Sequence, residues 1–327
     1  MSKTKYRAIF ALLLSLGVSN AAPIFNILYD PNATFSLADK AVIQNAVDFY
    51  TSNMTGNFTV TIAFGSQAGG GGGSQWFTAT STYSAFYNAL LANSSGNATD
   101  TSAIGSLGGG PHTINPVTGS GNMVMTTTLA SLLGLDSQVS GTFASCGGLA
   151  ANACVTLSQA ALNAGGSPLA GLNGIVQHEV NEVLGTASNL PNGGGALPDD
   201  PLAADLYRYS ALGVRSFAFN VSTDVPCSGS PTAYLSVDGG ATNLNSYNNC
   251  NNGGDYGDWI GTDGLQVQDA FGPDSQAASM NLSAPEVVLL DSVGYNFGAA
   301  AAVPEPSTMV LMLGGLAMIP LLRKRVR

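Results

Sequence analysis

Histidine, glutamate and basic residues are scarce in this chain. Among 327 residues there are two His, four Glu and ten Lys or Arg, against twenty acids in all. Seven of the ten basic residues sit at the ends: Lys3, Lys5 and Arg7 at the start, Arg323, Lys324, Arg325 and Arg327 at the finish. Between them stand only Lys40, Arg208 and Arg215, facing nineteen acids. So acidic a body cannot neutralise phosphates and release their counterions, which excludes nucleic acid as a partner and leaves cations as fitting ligands.

Other signatures are missing too. The unbroken glycine run Gly69–Gly73 lacks the Lys-Ser/Thr ending of a phosphate loop and reads as a flexible linker. The four cysteines contain no C-x-x-C pair, so a structural zinc knuckle is not expected. Their even number in an exported chain predicts disulfides, with 146–154 and 227–250 preferred among three pairings. There is no internal repeat. No apolar run reaches the roughly 20 residues of a permanent membrane span.

What the ends do contain is address information. Lys3, Lys5 and Arg7, the apolar "AIFALLLSLGV" and Ser19-Asn20-Ala21 form the three parts of a secretory signal peptide, residues 1–21. At the other end, Val303-Pro304-Glu305-Pro306-Ser307, the apolar Met309–Leu322 and the basic tail resemble a PEP-CTERM sorting signal, residues 303–327. That resemblance implies a Gram-negative bacterium and export through the inner membrane. It also implies transient membrane association through 309–322, handling by an exosortase, and delivery to the cell surface or extracellular matrix. Residues 299–302 read as a linker, leaving 22–298 as the folded body, long enough for a sizeable core.

The body predicts an α+β fold. "FNILYD" (25–30) and "NFTVTIAFG" are strand-like, the second by its alternation of Phe58, Val60, Ile62 and Phe64. Ser36 caps a helix over 37–53 whose Leu37, Ala41, Val42, Ala46, Val47 and Tyr50 recur at helical spacing. Residues 82–93 and 127–135 suggest further helices. Short alternating segments around 213–221 and 232–240, a loop rich in Asn, Gly and Asp at 243–264, and a helix starting near Pro285 complete the body.

One segment carries chemistry. "GIVQHEVNEVLG" (174–185) lies on a helix expected over about 171–185, ended by Gly185. On a wheel of about 100° per residue, Leu172, Ile175, Val176, Val180, Val183 and Leu184 form an apolar face. Gln177, Asn181 and Gly174 fall opposite, toward solvent, and His178, Glu179 and Glu182 lie at the margin. Side chains at i and i+4 point the same way, so His178 and Glu182 can share one ion, while Glu179 leans over its open position as a general base. This HExxE pattern has fewer nitrogen ligands than HExxH; zinc is the first candidate and a harder ion such as manganese the second.

"HEVNEVLG", "ADLYRYSALGVRSF" (204–217), "AYLSVDGGATNLNSYNN", "GGDYGDW" (253–259) and "LLDSVGYNF" together resemble a family of PEP-CTERM-sorted, zincin-like metalloproteases, in order across residues 23–298. The resemblance implies a zincin-like fold: a mixed N-terminal lobe with the active helix, a smaller C-terminal lobe, and a protein or peptide substrate. Metzincins continue with a third histidine where this chain has Ser188. Asp205 is therefore the first choice for third ligand, ahead of Asp199 and Asp200. His112 reads as a loop histidine. Tyr207 or Tyr209 are candidate oxyanion donors. Arg208 and Arg215 are expected to pair with internal acids. Asp255, Asp258 and Asp263 form a lesser candidate for Ca2+, without EF-hand spacing. The alternative to a peptidase is a non-catalytic surface or matrix protein on a degenerate zincin fold.

Overall fold

The computed structural model describes residues 22–137, 139–162, 171–191, 195–262, 264–271 and 278–298. The leader, the linker, the sorting tail and Asp263 lie outside the described residues. Among the described residues no helix is long and apolar enough to cross a membrane.

The N-terminal half is organised by a four-stranded mixed sheet. Strand Ile24–Tyr29 runs parallel to Thr59–Gln67, which runs parallel to Ala153–Ser158; strand Gly72–Trp76 lies antiparallel to Ala153–Ser158 at the edge. Val60, Ile62 and Phe64 are fully buried on the main core, as their alternation predicts. Ala63, between them, is equally buried, because a second cluster of Phe143, Cys146, Ala151 and Cys154 covers the opposite face. Helix Leu37–Asn53 joins the first two strands. It starts in a capping box: Ser36 Oγ accepts from the Asp39 amide at 3.1 Å, and Asp39 accepts from the Ser36 amide at 2.8 Å.

Helix Leu172–Leu184 packs between this helix and the edge half of the sheet, and its polypeptide turns away at Gly185, φ 121°. The expectation that Gln177, Asn181 and Gly174 face solvent is wrong. Gln177 and Asn181 are 2% and 0% exposed, and a Cβ on Gly174 would lie 3.0 Å from the Ala278 carbonyl. The polar back of the helix is buried because its groups are bonded: Tyr50 Oη donates to Asn181 Oδ1 at 2.8 Å, and Gln177 Oε1 accepts from the Met280 amide at 2.9 Å.

The glycine run is also not a linker. It turns over 68–71 and enters the edge strand Gly72–Trp76, with Gly72 opposite Leu157 and Ser74 opposite Val155. A Cβ on Gly72 would sit 2.4 Å from Glu179 Oε1 and 2.9 Å from Ile175 Cγ2. Glycine is used here for closeness between strand and helix, not for slack.

The C-terminal half has little regular structure. Arg208–Ala211 pairs antiparallel with Val214–Arg215 and Tyr234–Leu235, and the latter with Asn245–Ser246. Helix Pro285–Val293 begins with proline in its first turn, and Asn296–Phe297 returns to pair with Met54–Thr55. The architecture is α+β, and the described residues belong to one compact unit. Both expected disulfides are present, Cys146–Cys154 and Cys227–Cys250, which fits an oxidising extracellular or periplasmic setting. Three helices differ from expectation: 127–135 shortens to Thr127–Leu132, the short Gln159–Leu162 is additional, and so is Ala98–Ser106, whose small polar residues hid its period.

Gly72→Ala is expected to destabilise the fold by about 1–3 kcal/mol through overpacking. Gly69→Ala, where an added Cβ meets nothing within 4 Å, should leave the chemical denaturation midpoint unchanged. Equal midpoints for the two variants would contradict the close approach.

Candidate metal centre

His178, Glu182 and Asp258 converge. One ligand atom from each lies within 4.8 Å of the others: His178 Nε2 is 3.9 Å from Glu182 Oε1 and 3.4 Å from Asp258 Oδ1. The first pair is set by the helix, one turn apart. The third arrives from the loop before Trp259, brought close by glycine. A Cβ on Gly257 would lie 3.0 Å from the Ser188 amide nitrogen and 3.1 Å from Ala187 Cα, so a side chain there would crowd the backbone of the chain leaving the helix.

The group opens into a cleft of about 750 Å3. Gly70–Gly73, Ser74 and Trp76 line one wall, the site helix the floor, and Asp255, Asp258, Asp269 and Phe271 the other wall. Ser74 Oγ donates to Glu182 Oε2, tying the edge strand to the ligand on the helix. Glu179 lines the same cleft beneath Gly72.

The ring of His178 has a defined orientation. Its Nδ1 is 2.9 Å from the Val267 carbonyl, which can only accept, so Nδ1 carries a proton and Nε2 faces the carboxylates. Burial pushes His178 down, but Asp258, Glu179 and Glu182 outweigh it and lift the pKa to about 10. Burial raises Glu179 to about 7, opposed by His178. Glu182 is raised well above the usual range by burial and by Glu179. Burial raises Asp258 to about 6, against the pull of His178. One imidazole therefore faces three carboxyl groups whose charged forms burial disfavours.

Asp205 is not in this group. Its carboxylate, fully buried, accepts from Ser188 Oγ at 2.6 Å, the Asn189 amide at 2.9 Å and the Leu202 amide at 3.0 Å. It braces the chain after the helix, with its oxygens already engaged. Asp200 accepts from Ser120 and the Asp199 carbonyl from Thr118, a loop brace. His112 stacks on Tyr87 at 3.5 Å. Tyr207 donates to the Ser292 carbonyl at 2.8 Å, and neither it nor Tyr209 lines the cleft.

The arginines make no ion pair with an acid among the described residues; carbonyls, an amide and ring faces receive them. Arg208, 1% exposed, reaches the Tyr256 carbonyl and Asn249 Oδ1 and lies 4.1 Å from the Tyr247 ring centroid. It clamps the loop that carries Asp258. Arg215 donates to the Leu206 and Ser106 carbonyls over the Tyr209 ring. Of the loop acids first considered for Ca2+, Asp258 joins the His178 group, and Asp255 lines the cleft beside it. The sequence signal for Asp258 was the "GGDYGDW" block, whose glycines allow the approach.

The donor set, one nitrogen and two carboxylate oxygens with a cleft on the open side, fits a divalent ion such as zinc and equally a harder one. Comparison with protein-family models, with curated proteins and with solved structures returns no match.

Because an ion must displace the proton on His178 Nε2, its affinity should rise with pH across the neutral range, about tenfold per unit for each proton released. Calorimetry of Zn2+ binding in buffers of different ionisation enthalpy measures that release. Asp258→Asn should weaken binding at least tenfold and Asp205→Asn should not; the reverse order would restore Asp205 as the ligand.

Proposed function

We propose that the protein is a secreted, surface-sorted, metal-dependent peptidase of zincin type, in which His178, Glu182 and Asp258 hold a divalent ion, zinc in the first instance. The observation that carries the reading is the convergence of these three donors at the floor of an open cleft, with a third carboxyl group, Glu179, beside them. An ion held there supplies Lewis-acid chemistry, polarising a carbonyl oxygen and acidifying water.

The chain's own residues account for the rest. Glu179, raised to about 7, is suited to take a proton from the attacking water and pass it to the leaving amine. Gly72 keeps its carboxylate pressed under the strand, in one place. The outer edge of Gly72–Trp76 has no partner strand among the described residues, so an extended peptide can pair with it by main-chain hydrogen bonds across the cleft. Helix, edge strand and third-ligand loop then meet around one scissile bond.

Family membership and address belong to the same proposal. The quoted motif blocks support the zincin-like resemblance. The leader and the PEP-CTERM-like tail support export through the inner membrane of a Gram-negative bacterium, processing by an exosortase, and display at the cell surface or in the matrix. The two disulfides agree with such an address.

The test is a purified body domain, residues 22–298, loaded with Zn2+ and offered casein or a mixed peptide library. Cleavage is expected, with Glu179→Gln lowering kcat at least a hundredfold while the ion stays bound. A stoichiometric ion with no cleavage of any peptide would leave a non-catalytic surface or matrix protein instead.

A further inference from the structure

A buried chain of hydrogen bonds leads from the core to the third ligand. Tyr50 Oη donates to Asn181 Oδ1 at 2.8 Å; Asn181 Nδ2 donates to Gln268 Oε1 at 3.2 Å; Gln268 Nε2 donates to Asp258 Oδ1 at 3.0 Å. All four residues are 4% exposed or less. They come from the first helix, the site helix and the third-ligand loop, far apart in sequence.

The direction of this chain is dictated from its end. A carboxylate oxygen can only accept, so Gln268 must turn its amide nitrogen to Asp258 and its oxygen to Asn181. Asn181 must then present its nitrogen to Gln268 and its oxygen to Tyr50, whose one hydroxyl proton is shared between that oxygen at 2.8 Å and the Gln177 carbonyl at 2.9 Å. Flipping either amide would set acceptor against acceptor or donor against donor among side chains that are 4% exposed or less. The same Asp258 Oδ1 is the atom 3.4 Å from His178 Nε2. A second tie holds the loop itself: Glu286 Oε1 accepts from Trp259 Nε1 at 3.0 Å and from the Gln268 amide at 3.1 Å. The Val267 carbonyl, next in the chain, fixes the His178 ring.

We propose that Tyr50, Asn181 and Gln268 are positioning residues: a one-way relay that holds the Asp258 carboxylate beside His178 and so sets the ion's third ligand before the ion arrives. The inference rests on the metal-site reading above, but not on peptidase activity. It gives Asn181, within the "HEVNE" stretch, a part that no ligand pattern assigns. Its amide spans the back of the helix and couples the His178–Glu182 pair to a ligand on a distant loop. Ligands oriented by outer hydrogen bonds lose roughly 10–100-fold in ion affinity when that support is removed.

The experiment uses the body domain with Co2+ and Zn2+, reading affinity by chelator competition, ligand geometry by the Co2+ absorption spectrum, and folding by thermal denaturation of ion-free protein. Gln268→Met keeps the bulk and removes the donor; it should weaken binding about 10–100-fold and change the Co2+ spectrum. Tyr50→Phe, which removes only the hydroxyl, should act in the same direction and more weakly. In an Asp258→Asn background Gln268→Met should add little, since both act through one ligand. Lower melting temperatures with wild-type affinity and spectrum, or full additivity of the two substitutions, would overturn the relay while leaving the metal site intact. A wild-type domain that binds neither ion would overturn both.

Discussion

Three carboxyl groups crowd one imidazole on the floor of a cleft, and the rest of the molecule is arranged around that crowding. Glu179, Glu182 and Asp258 are each 5% exposed or less, and no Lys or Arg lines the cleft. Buried like charges are relieved either by protonation of the carboxyls themselves, seen in their raised pKa values, or by positive charge within the group. His178, lifted to about 10, is the one side chain there that can supply it as a proton. The few basic residues of the body are spent elsewhere: Arg208 inside the third-ligand loop, Arg215 over Tyr209, Lys40 over Tyr29. The protein's own arginines thus leave the cluster without a guanidinium partner, which is the charge balance a bound cation would supply under the proposed function.

The C-terminal half makes sense as the support of one aspartate. It has few strands, yet Asp258 is tied from several sides. Arg208 holds the Tyr256 carbonyl and Asn249, Cys227–Cys250 closes the loop behind, Glu286 gathers Trp259 and Gln268, and Gln268 reaches Asp258 itself. Irregular backbone is held in place here by side-chain hydrogen bonds rather than by a ladder. That is why a segment dominated by Asn, Gly and Asp can be as buried as a core. Asn248 and Asn249 are each 1% exposed.

Local patterns were legible in the amino-acid order; approaches between distant segments were not. The capped helix after Ser36, the helix from Pro285, both disulfides and the turn at Gly185 follow from neighbours in sequence, and the structure has them all. The His178–Glu182 pair is one turn of one helix, so its convergence needed no tertiary information. Asp258 did. Its competitor Asp205 sat in an equally distinctive block, and only the fold shows that Ser188, Asn189 and Leu202 already occupy its oxygens. Gln177 and Asn181 misled for a physical reason: a polar helix face signals solvent unless partners from other segments meet it, and Tyr50, Gln268 and Met280 do. Gly72 misled likewise, since a glycine's lack of a side chain reads the same whether it frees a linker or admits a carboxylate.

In the proposed zincin-type reading, a glutamate at position 182 in place of a histidine would have a consequence for charge rather than for shape. A dication held by neutral imidazoles keeps its full charge in a poorly solvated place, whereas one imidazole with two carboxylates brings the inner set to neutrality. Beside that set, Glu179 is one further carboxyl group, pushed up to about 7 by burial in the ion-free protein. A carboxyl group in that state both accepts and returns a proton readily, which is what a base that must also serve as an acid requires. The same balance would explain why the cluster has no neighbouring arginine among the described residues: in the proposed site, proton and ion would compete for one position at His178 Nε2, and either would leave the buried acids less exposed to one another.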